Sequence, residues 1–306
     1  MTEILMTTKE LAAYINLNEK KIYDLVKKRV IPHTKVTGKY LFPRDSIDRW
    51  IEDSIVAAST GKGSGKVTIT GSHDPAIDLL ISEVNRRHPD MTLLAASVGS
   101  TRGIELLGEG GADMAGIHIL DTESNDYNLP WLEKHMPGLK PVVVHFAMRS
   151  QGLIVAKGNP LGISGIEDLC APGPKGMVAG GPRFINRQAG SGTRLLFDHL
   201  VAGAGLDPAS IDLSSGEVAT HTEVAQAVRA GRVDVGMGVK SAAVAAGLDF
   251  VPLAEESFDI AVSRRNFYSE PVQKCLEVVR SLEFMESVAG MGGYDMKDSG
   301  AVISWG

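Results

Sequence analysis

Cysteine is scarce: Cys170 and Cys275 are the two in 306 residues, far apart and without the close spacing of a metal site. That weighs against a disulfide framework, and both thiols read as buried packing groups. No apolar run approaches the roughly 20 residues of a membrane span, and the start, MTEILMTTKELAAY, lacks the basic-then-apolar order of a signal peptide. A cytoplasmic protein with no membrane contact is expected. Aromatics make up 6% of the chain, and few fall near the glycine-rich loops discussed below, which counts against an aromatic-lined pocket for an organic ligand. Catalytic signatures are missing as well. The chain has no G-x-x-x-x-G-K-(S/T) phosphate loop and no G-x-S-x-G elbow, and His73, His118 and His221 offer no i,i+4 pair for zinc. The reading is of a protein that is not an enzyme and holds no metal or cofactor.

What is present is an ordinary globular composition, 43% hydrophobic and 22% charged, with enough length for two or three domains. The net charge of −6 is unevenly spread. Residues 1–66 hold twelve lysines and arginines against eight acids, while residues 67–306 hold nineteen against twenty-nine. A basic head on an acidic body implies that the head meets a polyanion.

In the head, residues 1–55, Thr7 and Thr8 can cap a helix carrying Leu11, Ala12 and Ile15, and Asn18 opens a second with Ile22, Leu25 and Val26 facing inward. The outer face of that second helix carries Lys20, Lys21, Tyr23, Asp24, Lys27 and Lys28. Alternation about Thr37-Gly38 predicts a hairpin with Lys35 and Lys39, and Pro43 with Asp45 starts a third helix containing Ile47 and Trp50. These residues resemble the excisionase-like (MerR-related) winged helix-turn-helix family across nearly the whole head. The resemblance implies double-stranded DNA as partner. Lys20, Lys21, Lys27, Lys28, Lys35 and Lys39 would meet phosphates, and Asn18, Lys21 or Tyr23 would read bases. The competing reading is a merely solvated lysine face. A single head buries a small interface, so a homodimer on a paired site is expected.

Residues 56–66, VAASTGKGSGK, read as a flexible linker. From Val67 to residue 306, strand and helix patterns alternate: VTITG, PAIDLLISEVNRRHP, MTLLAAS, IELLGEGG. EGGADMAGIHIL (109–120) and RAGRVDVGMGVK (229–240) echo one another, as two lobes of similar build would. The last stretch carries a short strand, DIAVSR, and two helices able to return to the first lobe. AGIHILD, RSQGLIVAKGNP, GIEDL, RFINRQAGSGTRLLFDHL, THTEVAQAVRAGRVDVGMGV and YDMKDSG are similar to the binding-protein-like domains found on excisionase-type heads. The fold class is therefore read as α/β: a winged helix-turn-helix followed by a two-lobed, type II periplasmic-binding-protein-like domain. The connection CAPGPKGMVAGGPRF departs from that family in its length.

The strand-to-helix junctions carry the chemistry. NRQAGSGTR (186–194) offers Gln188, Gly190, Ser191, Gly192, Thr193 and Arg194, with Arg187 as a further charge; glycine freedom and the unpaired N–H groups of a helix start form an anion nest. GSHD supplies Ser72 and His73, SVGSTRG supplies Ser97, Gly99, Ser100, Thr101 and Arg102, and ATHTE supplies Thr220 and His221. Two junctions per lobe facing one cleft favour a small oxyanion held by hydroxyls and amides. Any one such turn is more often a helix cap than a ligand site, and it is the four together that favour binding. Arg102 and Arg194 stand open between a ligand clamp and a salt bridge, Lys240 between cleft and solvent, and Met114, Met177 and Met237 read as packing. The resemblance implies molybdate or tungstate as effector. A small organic acid, a cofactor precursor, or a ligand-free scaffold for a partner are the alternatives.

Overall fold

The computed structural model describes residues 5–15, 17–28, 30–36, 38–54, 65–170, 181–213 and 215–305. The chain divides into two units, Met1–Gly63 and Ser64–Gly306.

The first unit contains β1 (Leu5–Thr7), α1 (Thr8–Tyr14), α2 (Glu19–Lys27), β2 (Thr34–Val36), β3 (Lys39–Pro43) and α3 (Arg44–Ser54), with strand order β1-β3-β2. Thr7 closes a capping box on α1: its Oγ1 accepts the Glu10 N–H at 3.3 Å, and Glu10 Oε2 accepts the Thr7 N–H at 2.8 Å. Asn18 caps α2 by accepting the Lys21 N–H at 2.8 Å. Met6, Leu11, Ile22, Val26, Ile31, Phe42 and Ile47 are buried together, each contributing about 1.5–3 kcal/mol of burial. Strand β1 was not expected: three residues carry no readable period, and the strand exists because Met6 joins this core and its backbone pairs with β3.

The second unit opens with β4 (Gly65–Gly71), α4 (Pro75–Arg87), β5 (Met91–Ser97), α5 (Ser100–Gly108), β6 (Met114–Ile117), β7 (Leu120–Asp121), β8 (Asp126–Tyr127), α6 (Leu129–His135) and β9 (Val142–Val155). It continues with β10 (Phe184–Arg187), α7 (Gly192–Gly203), β11 (Glu217–Val218), α8 (His221–Arg229), β12 (Val235–Val239), α9 (Lys240–Ala246) and β13 (Asp249–Val262). It closes with α10 (Arg264–Phe267), α11 (Glu270–Val279), α12 (Leu282–Gly290), β14 (Tyr294–Asp295) and β15 (Val302–Ser304). One sheet runs β11-β10-β12-β9-β13-β6-β4-β5, with β14 and β15 added on β9.

Strands β9 and β13, 14 residues each, pair antiparallel from Val142↔Val262 to Val155↔Asp249 and belong to both halves of the sheet. The β9 end of this ribbon carries β12, β10 and β11, and the β13 end carries β6, β4 and β5. Within each half the short strands are parallel, so their carboxyl ends and the helices that follow face the seam. The expected short strand DIAVSR is thus the tail of a much longer one. Its middle, Glu255-Glu256-Ser257, pairs with Arg149 and Ser150 across the seam, and that polar run hides strand continuity from an apolar-pattern reading.

The closing helices do return to the first half: Val272, Leu276, Val279, Phe284 and Val288 share a core with Ile69, Leu80 and Leu93. Both cysteines are free thiols; Cys170 is half-buried, and burial with Asp113 nearby pushes the buried Cys275 thiol up to about 12. The stretch read as a linker lies outside the described residues except for Gly65 and Lys66, which begin β4. The long connection and Met177 lie outside them for residues 171–180.

Candidate functional site: a buried polar cleft at the seam

Where β9 and β13 cross from one half to the other, their inward side chains are Arg149, Gln151 and Glu256, all fully buried. Arg149 Nε donates to Glu256 Oε1 at 2.5 Å, its Nη1 donates to Asp74 Oδ2, and its Cζ lies 4.4 Å from the Phe258 ring centroid. Asp74, the N-cap of α4, also accepts the Ala76 N–H (2.7 Å) and the Tyr294 hydroxyl (2.8 Å) through Oδ1. Burial alone would raise the Glu256 carboxyl, but Arg149 and then His118 outweigh it and hold the group at about 2. Burial likewise opposes the Arg149 charge, and Glu256 and Asp74 reverse that, raising it above its usual value.

A chain of hydroxyls leads from this pair to the first half. His118 Nδ1 lies 3.0 Å from Glu256 Oε2 and its Nε2 2.9 Å from Ser72 Oγ; Ser72 Oγ lies 2.9 Å from Ser100 Oγ, which accepts the His118 N–H at 3.1 Å. Burial lowers the His118 pKa, so the ring is neutral, Nδ1–H donates to Glu256 and Nε2 accepts from Ser72. On this wall the side-chain polar atoms of Ser72, Asp74, Ser100, His118 and Glu256 all have partners.

The opposite wall is different. Asn186 and Arg187, at the end of β10, are 1% exposed, and His221, the first residue of α8, is fully buried. Arg187 Nη2 donates to the Ala219 carbonyl at 2.7 Å and Nε reaches Gln188 Oε1 at 3.4 Å. Among the described residues its Nη1, Asn186 Nδ2 and both ring nitrogens of His221 have no hydrogen-bond partner, nor do Arg149 Nη2, Gln151 Oε1 and His73 Nδ1. Among the described residues Arg187 makes no ion pair. Burial, then the neighbouring Arg149, lower its pKa to about 10, which leaves it a cation at neutral pH. His221 is pushed well below its usual value by burial, then by Arg187, Arg149, His73 and His118. A buried, unpaired guanidinium with orphaned donors around it is costly unless an anion completes it.

All four sequence-predicted junctions meet here. Gly99 has φ +85°, and a Cβ there would stand 3.0 Å from the Gly190 carbonyl. At Gly192 a Cβ would stand 2.1 Å from the His118 carbonyl. The His73 and His221 ring centroids are 6.1 Å apart. Helix α5 starts at Gly99-Ser100 with no side-chain cap.

The individual residues divide. Gly99, Ser100, Ser191, Gly192 and Thr193 are buried, Gln188, Gly190 and Thr101 half-buried, and Ser97 exposed. Ser191 caps α7 by accepting the Arg194 N–H and donates to the Gln188 carbonyl, Thr193 accepts from Gln151 Nε2 at 2.8 Å, and Thr220 caps α8 with Glu223. Arg102 is exposed on Glu105 and Glu109, and Arg194 pairs with Asp198 and Glu217, so both form surface salt bridges. Lys240 is exposed. Arg149, Gln151, Glu256, Asp74 and Asn186 escaped the sequence reading; the signal available was charge interrupting otherwise apolar strands. Among the described residues no group of three or more His, Cys, Asp or Glu is placed to hold a metal ion, and no helix is long and apolar enough to cross a membrane.

In the first unit Lys20, Lys21, Lys27, Lys28, Lys35 and Lys39 are all exposed, and Tyr23 is 48% exposed with its ring 6.2 Å from Tyr40. Asn18 spends its side-chain oxygen on the α2 cap.

Comparison with known proteins follows the same division. A family model described as a PBP superfamily domain matches residues 81–280, and one described as a Helix-turn-helix domain matches residues 5–54. "Uncharacterized protein YvgK" of Bacillus subtilis (strain 168) is 28% identical over 311 residues, covering 97% of each chain. Among solved structures, a candidate phosphate ABC transporter substrate-binding protein with bound phosphate from Clostridium perfringens is similar with TM-score 0.55 and 19% identity, covering 74% of this chain and 98% of that one. The regulatory domain of NMB2055 (MetR), a LysR family regulator from N. meningitidis, is similar with TM-score 0.50 and 12% identity, covering 76% and 97%.

Proposed function

The chain belongs to the PBP superfamily, and on that premise we propose that it is a one-component transcription regulator whose helix-turn-helix unit binds double-stranded DNA and whose larger unit senses a small oxyanion in the seam cleft. The observation that carries this reading is Arg187: a buried cation without an ion pair, beside His221 and Asn186 with unpartnered donors. A tetrahedral dianion seated there accepts from Arg187 and Arg149, from His221 and from the first-turn amides of α5, α7 and α8. Charge-assisted bonds of this kind contribute about 1.5–3 kcal/mol each. The structural neighbour described with bound phosphate belongs to the same ligand class. Molybdate or tungstate leads the candidates through the sequence resemblance, and the ligand acts without a metal cofactor. Contacts to both halves of the sheet favour one arrangement of the β9–β13 ribbon, and in a homodimer this resets the spacing of two DNA-binding heads.

A thermal-shift series with molybdate, tungstate, phosphate, sulfate and small organic acids tests the reading. The expected result is stabilisation by molybdate or tungstate, about 2.7 kcal/mol at a hundredfold excess over Kd. Stabilisation by organic acids alone, or by nothing, contradicts it.

One arrangement favours a second reading. Ser72, His118 and Glu256 stand in the hydrogen-bond order of a nucleophilic triad. Ser72 is 6% exposed and shares its Oγ with Ser100, so the chain reads as a scaffold that orients His118. Labelling of Ser72 by a fluorophosphonate probe would establish the hydrolytic reading instead.

A further inference from the structure

The charges on the two walls do not balance a divalent guest. Arg149 and Arg187 are formally offset by Asp74 and Glu256, and all four are buried. A dianion placed between them leaves about two negative charges among buried groups, and each helix start offers only about half a charge. The cleft holds a group able to supply one of these charges, the helix starts contributing to the rest. His221 is fully buried with neither ring nitrogen partnered, and a protonated imidazole donates from both.

We propose that the cleft takes up its oxyanion together with one proton, and that His221 is the residue that receives it. This rests on the oxyanion reading of the same cleft. Without the anion, the groups facing His221 are mostly cationic or neutral. Arg187 comes from β10, Arg149 from β9, His73 from the β4–α4 junction and His118 from the β6–β7 junction, and together with burial they keep the ring uncharged. The other charges on elements packed against α8 lie toward solvent: Glu217 of β11 pairs with Arg194, Lys240 of α9 is exposed, and Glu223 of α8 itself is held by Thr220. Strand β12 contributes only VGMGV, and a Cβ on its Gly238 would stand 3.3 Å from His221 Nδ1, which keeps the ring close against that strand. An anion between Arg187 and His221 reverses the sign of this environment. The imidazolium becomes the favoured form, and Nδ1–H and Nε2–H both become donors.

The sign of the linkage follows. His221 binds no proton at neutral pH in the free protein and one in the complex, so affinity rises as pH falls through the titration of the complex and flattens once both forms are protonated. Isothermal titration of the full chain with sodium tungstate and with sodium molybdate, which both remain dianions from pH 6 to 8.5, reads this directly. Repeating each titration in buffers of different ionisation enthalpy counts the protons. The expected result is uptake of about one proton per anion near pH 7, with Kd weakening up to about tenfold per pH unit on the alkaline side. His221→Gln, and His221→Asn should that variant melt early without ligand, are expected to bind more weakly with no proton uptake and a flat pH profile. Binding of either anion by the wild-type protein without proton uptake overturns the proposal while leaving the oxyanion reading intact. Uptake that persists in the His221 variants overturns it as well, by placing the proton on another group. No heat and no stabilisation with any oxyanion overturns the reading beneath it.

Discussion

The two walls of the cleft are built from the same kinds of residue and end in opposite states. On the β4–β6 side, Ser72, Ser100, His118 and Asp74 spend their polar atoms on one another, on Glu256 and on Arg149. On the β10–α8 side, Asn186, Arg187 and His221 keep donors with no acceptor among the described residues. Buried polar groups are normally paired because an orphan costs about 1–3 kcal/mol. The first wall is therefore a paired scaffold at the seam, and under the proposed function the second is the surface that receives the anion. Two buried arginines make the contrast sharpest: Arg149 has two carboxylates and Arg187 has none.

The largest effect expected from breaking this contrast is on Arg149. Arg149→Met strands Asp74 and Glu256 as buried charges and should destabilise the larger unit by about 3–5 kcal/mol in urea unfolding. Protonating Glu256 weakens the same pair from the other side. Its folded-state pKa lies below its unfolded value, so its contribution is fully present above about pH 5 and is lost as the pH falls toward 2. Melting curves from pH 6 to 2.5 should show that loss, and it should be absent from Glu256→Gln. Arg187→Met removes a buried cation that makes no ion pair among the described residues. Stability without ligand should stay level or rise, while oxyanion affinity should fall about 30- to 150-fold, or 2–3 kcal/mol. Equal destabilisation by the Arg149 and Arg187 variants would erase the distinction between the walls. Gly192→Ala brings a methyl group against the His118 carbonyl and should cost about 1–3 kcal/mol in stability, with weaker oxyanion binding because the walls are held apart. Arg102→Ala, on exposed Glu105 and Glu109, should leave both stability and binding close to those of the unaltered protein.

Much of the architecture was legible from residues alone. Asn18 opens α2 as its cap, Gly38 stands between β2 and β3 while Thr37 lies outside the described residues, and the junctions at Ser72, Ser100, Gly192 and His221 start or precede helices where strand-then-helix patterning placed them. The four junctions converge because parallel strands in each half all end at the seam, a property of topology that local spacing already implied. What stayed hidden was the ribbon through the middle. Arg149, Gln151 and Glu256 sit in strands whose apolar pattern fails where they cross the polar cleft, so β13 looked like a short strand beginning near Asp259. The hydroxyls of Ser72 and Ser100, read as ligand donors, bond one another from distant parts of the sequence, while Thr193 accepts from Gln151 in a bond that does not use its own O–H. Sequence shows which side chains can donate; it does not show which have already been answered. Arg102 and Arg194 illustrate the same point on the surface, where acids on neighbouring turns and strands claim both.

The most direct measurement is a crystal of the full chain grown with tungstate and recorded at the tungsten absorption edge. The account predicts one strong anomalous peak inside the seam, with oxygens within hydrogen-bond distance of Arg187 Nη1 and a ring nitrogen of His221. A cleft without a peak, or tungsten found only at the lysines of the first unit, would contradict it.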